Sequence, residues 1–359
     1  MWVIPVHQIK MNIIFFVPHL NTIYAGRTIY NGYKNAFVDL GHNFRFLTAD
    51  DNQEKVYEEF QPQIIFTSMN PYVLKFLSLE VLKKQKRKGL KVFVNVPFWT
   101  SPFSKMRVNE SSSLSQNKEY VKLIKSGDFG DVYYNISEKN DPRMEGFEKG
   151  TGYKQYTIPL AADKTINYPE YSEKFKSDIS FLGTNLPGKR AFFQKNIFPL
   201  KKKHDVKFYG QDWTKVDRFK GNAQKIGQYF NIPLLKDIQK PKFELEDERR
   251  IYNSSTISIN VHEDHQKKYG TDCNERTFKI PISGGFEIVD NIACIKKYFV
   301  SGKEIIIAES DKDWLEKIDY YMKYPDKRLK IIEAGRTRVL RDHTYHQRIG
   351  TLLEIYKSL

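Results

Sequence analysis

The sequence predicts an α/β fold of two doubly wound domains. Three observations carry this. Short, continuously apolar runs recur along the chain and stop at proline or glycine, as strands buried on both faces of a parallel sheet do. Stretches with apolar residues at helical spacing separate them, which is the β–α alternation of a doubly wound sheet. The alternation lapses in a polar stretch after residue 161 and restarts at Asp178, and 359 residues suit two domains.

In the first half, residues 12–17 form the first strand, stopped by Pro18. A helix over 28–40 ends at Gly41, a suitable C-terminal cap. A strand at 44–48, a short helix at 56–60 before Pro62 and a strand at 64–67 follow. The helix over 73–88 ends at Gly89, and the strand 91–96 ends at Pro97. Residues 99–118, rich in Ser, Asn and Pro, read as a long mobile loop. Strands at 131–135 and 155–160 complete this half, and the polar stretch 161–176, interrupted by Pro169, reads as a linker. Met11 opens the first strand pattern, which makes residues 1–10 an extension or a misassigned start. They lack the apolar stretch of a signal peptide.

The second half repeats the scheme. Strands at 178–183 and 206–210 each end in glycine, with a helix over 187–200 between them. Residues 213–240 read as polar and irregular. A short helix at 249–254 leads to a strand at 256–261, and further strands follow at 286–290 and 304–308. Helices over 313–324, 326–339 and 347–358 close the chain.

Hydrophobic residues make up 40% of the chain, enough for real cores and against global disorder. The net charge of +15 has two readings. One is a lysine-rich solvated surface; the other is an anionic partner, whether nucleic acid, a phosphorylated substrate or an acidic membrane surface. The runs 83–88 and 201–203 lack the interleaved aromatics that single-strand binding favours. Two cysteines, Cys273 and Cys294, make no disulfide framework and suit a reducing cytoplasm, where the sequons at Asn135 and Asn253 carry no weight. No apolar run approaches the roughly 20 residues that span a bilayer.

The motifs that carry chemistry lie in the second half. They are Phe181-Leu182-Gly183-Thr184 with Lys189-Arg190, Phe208-Tyr209-Gly210, and Asn274-Glu275-Arg276-Thr277-Phe278-Lys279 with Gly284-Gly285. Asp311, Trp314, Tyr320-Tyr321, Pro325, Ala334-Gly335 and His343-Thr344-Tyr345 follow. Together and in this order they resemble the CgeB-like (spore-maturation type) group of glycosyltransferases, which have the GT-B architecture. The resemblance covers the last half of the chain and is only general in the first. It implies two facing Rossmann-like domains, residues 1–165 for the acceptor and 166–345 for the donor, with the helix 346–359 crossing back onto the first. It implies a nucleotide-sugar donor as substrate, no cofactor, and displacement at the anomeric carbon without a bound metal.

A fold of this kind must meet the charge growing on a leaving diphosphate with cations and helix N-termini. Gly183, Thr184 and Asn185 after a strand let backbone approach a phosphate, and Arg190 reads either as a phosphate ligand or as a helix-surface arginine. Tyr209 and Gly210 end the next strand of the donor site. Asn274 suits a helix N-cap, with Arg276 and Thr277 in the first turn. An arginine at a helix start opposes the macrodipole unless it meets an anion. Gly284 and Gly285 either end that helix or bring the sheet close to the ligand.

Lys279 departs from the resemblance, since retaining enzymes of this architecture carry a ribose-binding glutamate there and a partner glutamate where this chain has Thr271. A lysine only donates and cannot replace a carboxylate acceptor. Glu275, one turn earlier, is placed to pair with Lys279 or to take over part of that role. His262-Glu263-Asp264-His265 lacks metal-site spacing, so no metal is expected there, while His262, at a strand end, is a candidate to face the donor. His343 and His346 read as packing or capping groups. His19, directly after the first strand, is the candidate base for an inverting reaction.

The leading expectation is a glycosyltransferase acting on a glycan, a lipid-linked glycan or a protein, cytoplasmic or peripheral to an anionic membrane. Sugar transfer to DNA or RNA is the alternative that the basic charge favours. A GT-B-like binding protein without catalysis is the alternative that Lys279 motivates.

Overall fold

The apolar runs lie at the centre of two parallel sheets. A computed structural model describes residues 10–21, 25–102 and 113–359. The first sheet holds β1 (Asn12–Phe16), β2 (Asn43–Leu47), β3 (Ile64–Ser68), β4 (Lys91–Asn95), β5 (Val132–Asn135) and β6 (Gln155–Thr157), in the order β2-β1-β3-β4-β5-β6. All its pairings are parallel, with Ile14 between Arg45 and Ile65. The second holds β7 (Ser177–Leu182), β8 (Val206–Tyr209), β9 (Ser255–Asn260), β10 (Glu287–Asp290) and β11 (Ile306–Ala308), in the order β11-β10-β9-β7-β8, also parallel.

Side chains alternate across a strand, so a sheet with helices on both faces needs apolar residues at every position. Ile14, Ile65, Val92 and Val94 fill one core of the first sheet. Ile13, Ile64, Phe66 and Phe93 fill the opposite one. The last helix, Tyr345–Lys357, closes that second core with Tyr345, Ile349 and Leu352. It packs on the helix Gly26–Asp39, where Gly32 is required: a β-carbon there would lie 2.3 Å from the Tyr345 ring. The chain thus crosses between the sheets twice. The crossings are bonded to each other, the Ala162 amide donating to the His343 carbonyl (3.0 Å) and the Tyr345 amide to the Ala162 carbonyl (2.9 Å).

Several expectations are corrected. The helix expected over 73–88 is two, Pro71–Leu74 and Leu79–Lys86, because Ser78 leaves the helical conformation and caps the second. The helix expected over 187–200 is α-helical only at Pro187–Phe192, then widens and tightens up to Lys202, as Pro199 can donate no backbone bond. The stretch 161–176 is anchored, with Ala162, Asp163 and Asn167 buried and Asp163 accepting from Asn35 (2.7 Å). Residues 213–240 hold a regular helix, Lys215–Phe230, capped by Thr214 and ended by Asn231 at φ 52°. Of the loop expected over 99–118, residues 103–112 lie outside the described residues, and 118–125 are the helix Lys118–Lys125. Residues 1–9 of the expected extension also lie outside them. Among the described residues no helix is long and apolar enough to cross a membrane.

Candidate functional site

In an open parallel sheet, a ligand crevice forms where successive connections leave to opposite sides. In the second sheet that point is the carboxyl end of β7, since β8 lies on one side of it and β9 on the other. A pocket of about 360 Å³ opens there, toward the first sheet. Gly183 follows β7 and Gly210 follows β8, and both line it. A side chain at Gly210 would strike backbone, and one at Gly183 would displace the Arg276 guanidinium. A β-carbon at Gly183 would fall 2.7 Å from Nη1 of Arg276, and one at Gly210, whose φ is +111°, would fall 2.5 Å from the Gly183 carbonyl.

Arg276 starts the helix Arg276–Ile282. Its Nε donates to the Asn260 side-chain oxygen (3.0 Å), Nη1 to the Leu182 carbonyl (3.3 Å) and Nη2 to the Val261 carbonyl (3.1 Å). These bonds hold the guanidinium across the ends of β7 and β9. No carboxylate pairs with it among the described residues, and a guanidinium has five N–H donors, so two remain unused. Lys189, on the helix Pro187–Phe192, faces the same pocket. It is 4% exposed, and its ammonium makes no hydrogen bond or ion pair among the described residues. Burial, then the neighbouring Arg276 cation, pushes its ammonium down to about 7. Two cations without counter-ions at one crevice make a site for an anion.

Asn260 organises the floor. It donates to Thr277 Oγ1 (3.1 Å) and to the Glu287 carboxyl (2.7 Å), and accepts from Asn274 (2.9 Å) as well as Arg276. Burial raises the Glu287 carboxyl to about 8. The first half contributes Arg27 and Thr28 to the pocket, and Thr28 Oγ1 donates to the Glu275 carboxylate (2.7 Å) across the cleft. Burial pushes the Glu275 carboxyl up.

Of the expected donor residues, Gly183, Thr184, Gly210, Asn274, Glu275, Arg276 and Lys279 line this pocket. The details differ from expectation. Glu275, not Asn274, precedes the helix as its cap position, and no side chain caps it; Asn274 turns to Asn260 instead. Lys279 pairs with Glu248 (2.6 Å) on the helix Leu245–Asn253, not with Glu275, whose carboxylate is taken by Thr28.

The remaining residues lie elsewhere. Arg190 donates to the Asn185 carbonyl (2.9 Å), so both shape the loop rather than the pocket. Tyr209 packs between Phe175 and Phe243. His262 and Thr277 are buried beneath the floor, His262 Nδ1 lying 2.6 Å from Asp290, so His262 does not line the pocket. Gly284, at φ +74°, and Gly285 end the helix against Asn253, Pro169 and Tyr252. Thr271 donates to Asp141 and accepts from Arg143. His343 Nε2 lies 3.3 Å from the Tyr298 carbonyl, and His346 Nε2 lies 2.7 Å from Asp39. Among the described residues no group of three or more His, Cys, Asp and Glu side chains is placed to hold a metal ion.

His19 lines a second cavity, of about 410 Å³, at the carboxyl end of the first sheet. β1, with β2 and β3 on its two sides, is the corresponding switch point there. The cavity is mainly apolar and aromatic, lined by Phe15, Tyr30, Tyr33, Phe98 and Tyr345 among others. Two buried hydroxyls, Thr67 Oγ1 and Tyr345 Oη, line it without a hydrogen-bond partner among the described residues. His19 Nε2 lies 2.9 Å from the Gln228 carbonyl, which can only accept, so Nε2 carries the proton and Nδ1 is the basic nitrogen. Burial keeps the imidazole below its usual range.

Lys189 and Glu248 were missed from sequence. Lys189 stands beside the arginine that was singled out, and only the register of the short helix tells which of the two faces in. Glu248 meets Lys279 from 31 positions away.

Residues 190–354 match the family model described as glycosyl transferase-like. That stretch is similar to this family over a little under half of the chain. The whole chain has the GT-B architecture. It is similar to the glycosyltransferase from Rickettsia africae ESF-5, with 13% identity over 98% of this chain and 99% of that one and a TM-score of 0.61. An alpha-glucosyltransferase solved with UDP shares 11% identity over 96% and 99% of the two chains, with a TM-score of 0.61. Sucrose-phosphate synthase from Thermosynechococcus elongatus shares 10% identity over 97% and 99%, with a TM-score of 0.59. No curated protein sequence matches the chain.

Proposed function

We propose that this protein is a glycosyltransferase that holds a nucleoside-diphosphate sugar at Arg276 and Lys189 and transfers the sugar to a hydroxyl in the cavity of the first sheet. The buried Lys189 and the half-buried Arg276, neither in an ion pair among the described residues, carry the reading. A leaving diphosphate gains charge as the glycosidic bond breaks, and fixed donors aimed at it stabilise that charge. Gly183 and Gly210 admit backbone to within phosphate contact. Asn274, whose side-chain oxygen is buried without a partner, and the Glu248–Lys279 pair offer acceptors and donors for the sugar and ribose hydroxyls. Several fold neighbours hold UDP or UDP-glucose, which makes uridine nucleotides the first donors to try.

The aromatic cavity with two unpartnered hydroxyls supports an acceptor with apolar surface, so a lipid-linked glycan fits it better than nucleic acid does. His19 Nδ1 is the proposed base. The order of motifs supports placement in the CgeB-like group. The two buried, free thiols Cys273 and Cys294 support a reducing compartment.

Thermal melting against a panel of nucleotides and nucleotide sugars tests the donor site. A ligand at a hundred times its Kd stabilises the fold by about 2.7 kcal/mol. If no nucleotide moves the melt, the donor assignment fails. A His19→Gln variant that loses turnover while keeping nucleotide affinity supports the base, and one with full turnover removes it.

A further inference from the structure

The helix Lys215–Phe230 is built inside out. Its inward face is polar: Asp217, Gln224 and Gln228 are buried, and Gln224 donates to the Asn21 carbonyl (3.1 Å). Its outward face is apolar. Val216, Phe219, Ala223, Ile226 and Phe230 recur at spacings of three and four, which at 3.6 residues per turn places them in one arc of roughly 80°. Phe219 is 72% exposed and Phe230 64%, and Leu234 just beyond is 88% exposed. A surface helix ordinarily turns such a stripe to its own core. Here the core side is satisfied by glutamines and glycines; among the described residues Phe230 alone of the stripe has a ring contact with another element, the Lys75 ammonium 5.1 Å from its centroid.

The charges beside the stripe narrow the choice of partner. Lys215 and Lys220 flank it and are exposed. Asp217, the acid on this helix, is turned inward and paired with Lys242 (2.7 Å). Two copies meeting through the stripe would set lysine against lysine with no acid to answer. The seam also spans only about two heptads, short of the three or four that sustain a coiled coil. An exposed apolar stripe rimmed by cations, on a chain of net charge +15, fits the headgroup boundary of an anionic bilayer.

We propose that the outward face of the helix Lys215–Phe230 docks this protein on anionic membrane surfaces, with Phe219 and Phe230 entering the acyl boundary and Lys215 and Lys220 meeting lipid phosphates. The proposal stands apart from the donor reading, because it uses none of the pocket residues.

Cosedimentation of the full chain with phosphatidylglycerol–phosphatidylcholine vesicles, against pure phosphatidylcholine vesicles, tests it. Binding is expected to the anionic vesicles and to weaken with salt. A Phe219→Glu/Phe230→Glu variant is expected to bind about tenfold more weakly or worse with an unchanged melting temperature, since both side chains are exposed. Lys215→Ala/Lys220→Ala is expected to lose roughly tenfold at low salt. A Phe219→Trp variant, which keeps the stripe apolar, is expected to shift its emission to the blue on anionic vesicles. No binding to anionic vesicles, equal binding by the Phe219→Glu/Phe230→Glu variant, or no emission shift overturns the proposal. So does a wild-type dimer in sedimentation equilibrium that the same variant abolishes, because the stripe then belongs to a second copy.

Discussion

Lys279 donates from Nζ to the Glu248 carboxylate at 2.6 Å, and this pair forms part of the pocket wall. Each side chain is largely shielded, so losing either partner leaves the other charge poorly solvated and unpaired. Lys279→Glu would set two carboxylates against each other with the buried Glu275 close by. It is expected to destabilise the fold by about 2 kcal/mol or more in chemical denaturation. The exchange Glu248→Lys with Lys279→Glu is expected to recover most of that loss. A single variant as stable as the parent would show that the pair is not formed.

Arg276 fills three of its donors on Asn260, Leu182 and Val261 and turns the rest to the pocket. Arg276→Lys keeps a charge and loses the fork. Nucleotide affinity by calorimetry is expected to fall at least about tenfold, as one or two charge-assisted bonds disappear. Gly183→Ala is expected to have a similar effect by pressing on Nη1.

Burial and the Arg276 cation push the Lys189 ammonium down to about 7 from 10.5. The cost of burying this ammonium is full below the folded value and is relieved progressively as pH rises from there to the unfolded value. Stability of the ligand-free protein is therefore expected to rise with pH from about 7 toward 10. Anion binding needs the protonated form, so nucleotide affinity is expected to weaken from pH 6 to pH 8. Lys189→Met is expected to flatten that dependence and to lower affinity at pH 6. Calorimetry across this range reads both effects.

Glu287 has the opposite sign. Its carboxyl is raised to about 8 from 4.5 by burial, with one oxygen on Asn260 and the other without a partner. Its contribution to stability is full below the unfolded value and is lost as pH rises through about 8. Glu287→Gln mimics the protonated form. Melting temperatures are expected to be close to the parent at pH 5 and higher than the parent at pH 9.

The sheets were legible because a strand buried on both faces leaves a continuous apolar run, and Phe93 between Val92 and Val94 shows why: neighbours feed opposite cores. Arg276 was legible because a cation at a helix start needs a reason. The helix Lys215–Phe230 was not, since its buried side is polar and its apolar side faces out, which reverses the signal that periodicity reads. The Asn274 cap failed because the Asn260 side chain, brought in from another strand, competes for the same group. Glu248 gains its role from Lys279, distant in sequence, and Lys189 from the register of its short helix, and no local pattern encodes either.

The two crossings between the sheets lie side by side, with Ala162 bonded to both His343 and Tyr345. Two stretches of chain bonded to one another share the strain placed on either. The second crossing runs straight into the helix Tyr345–Lys357, which packs on Gly26–Asp39, so a cut in the first crossing would still leave the halves associated through that helix.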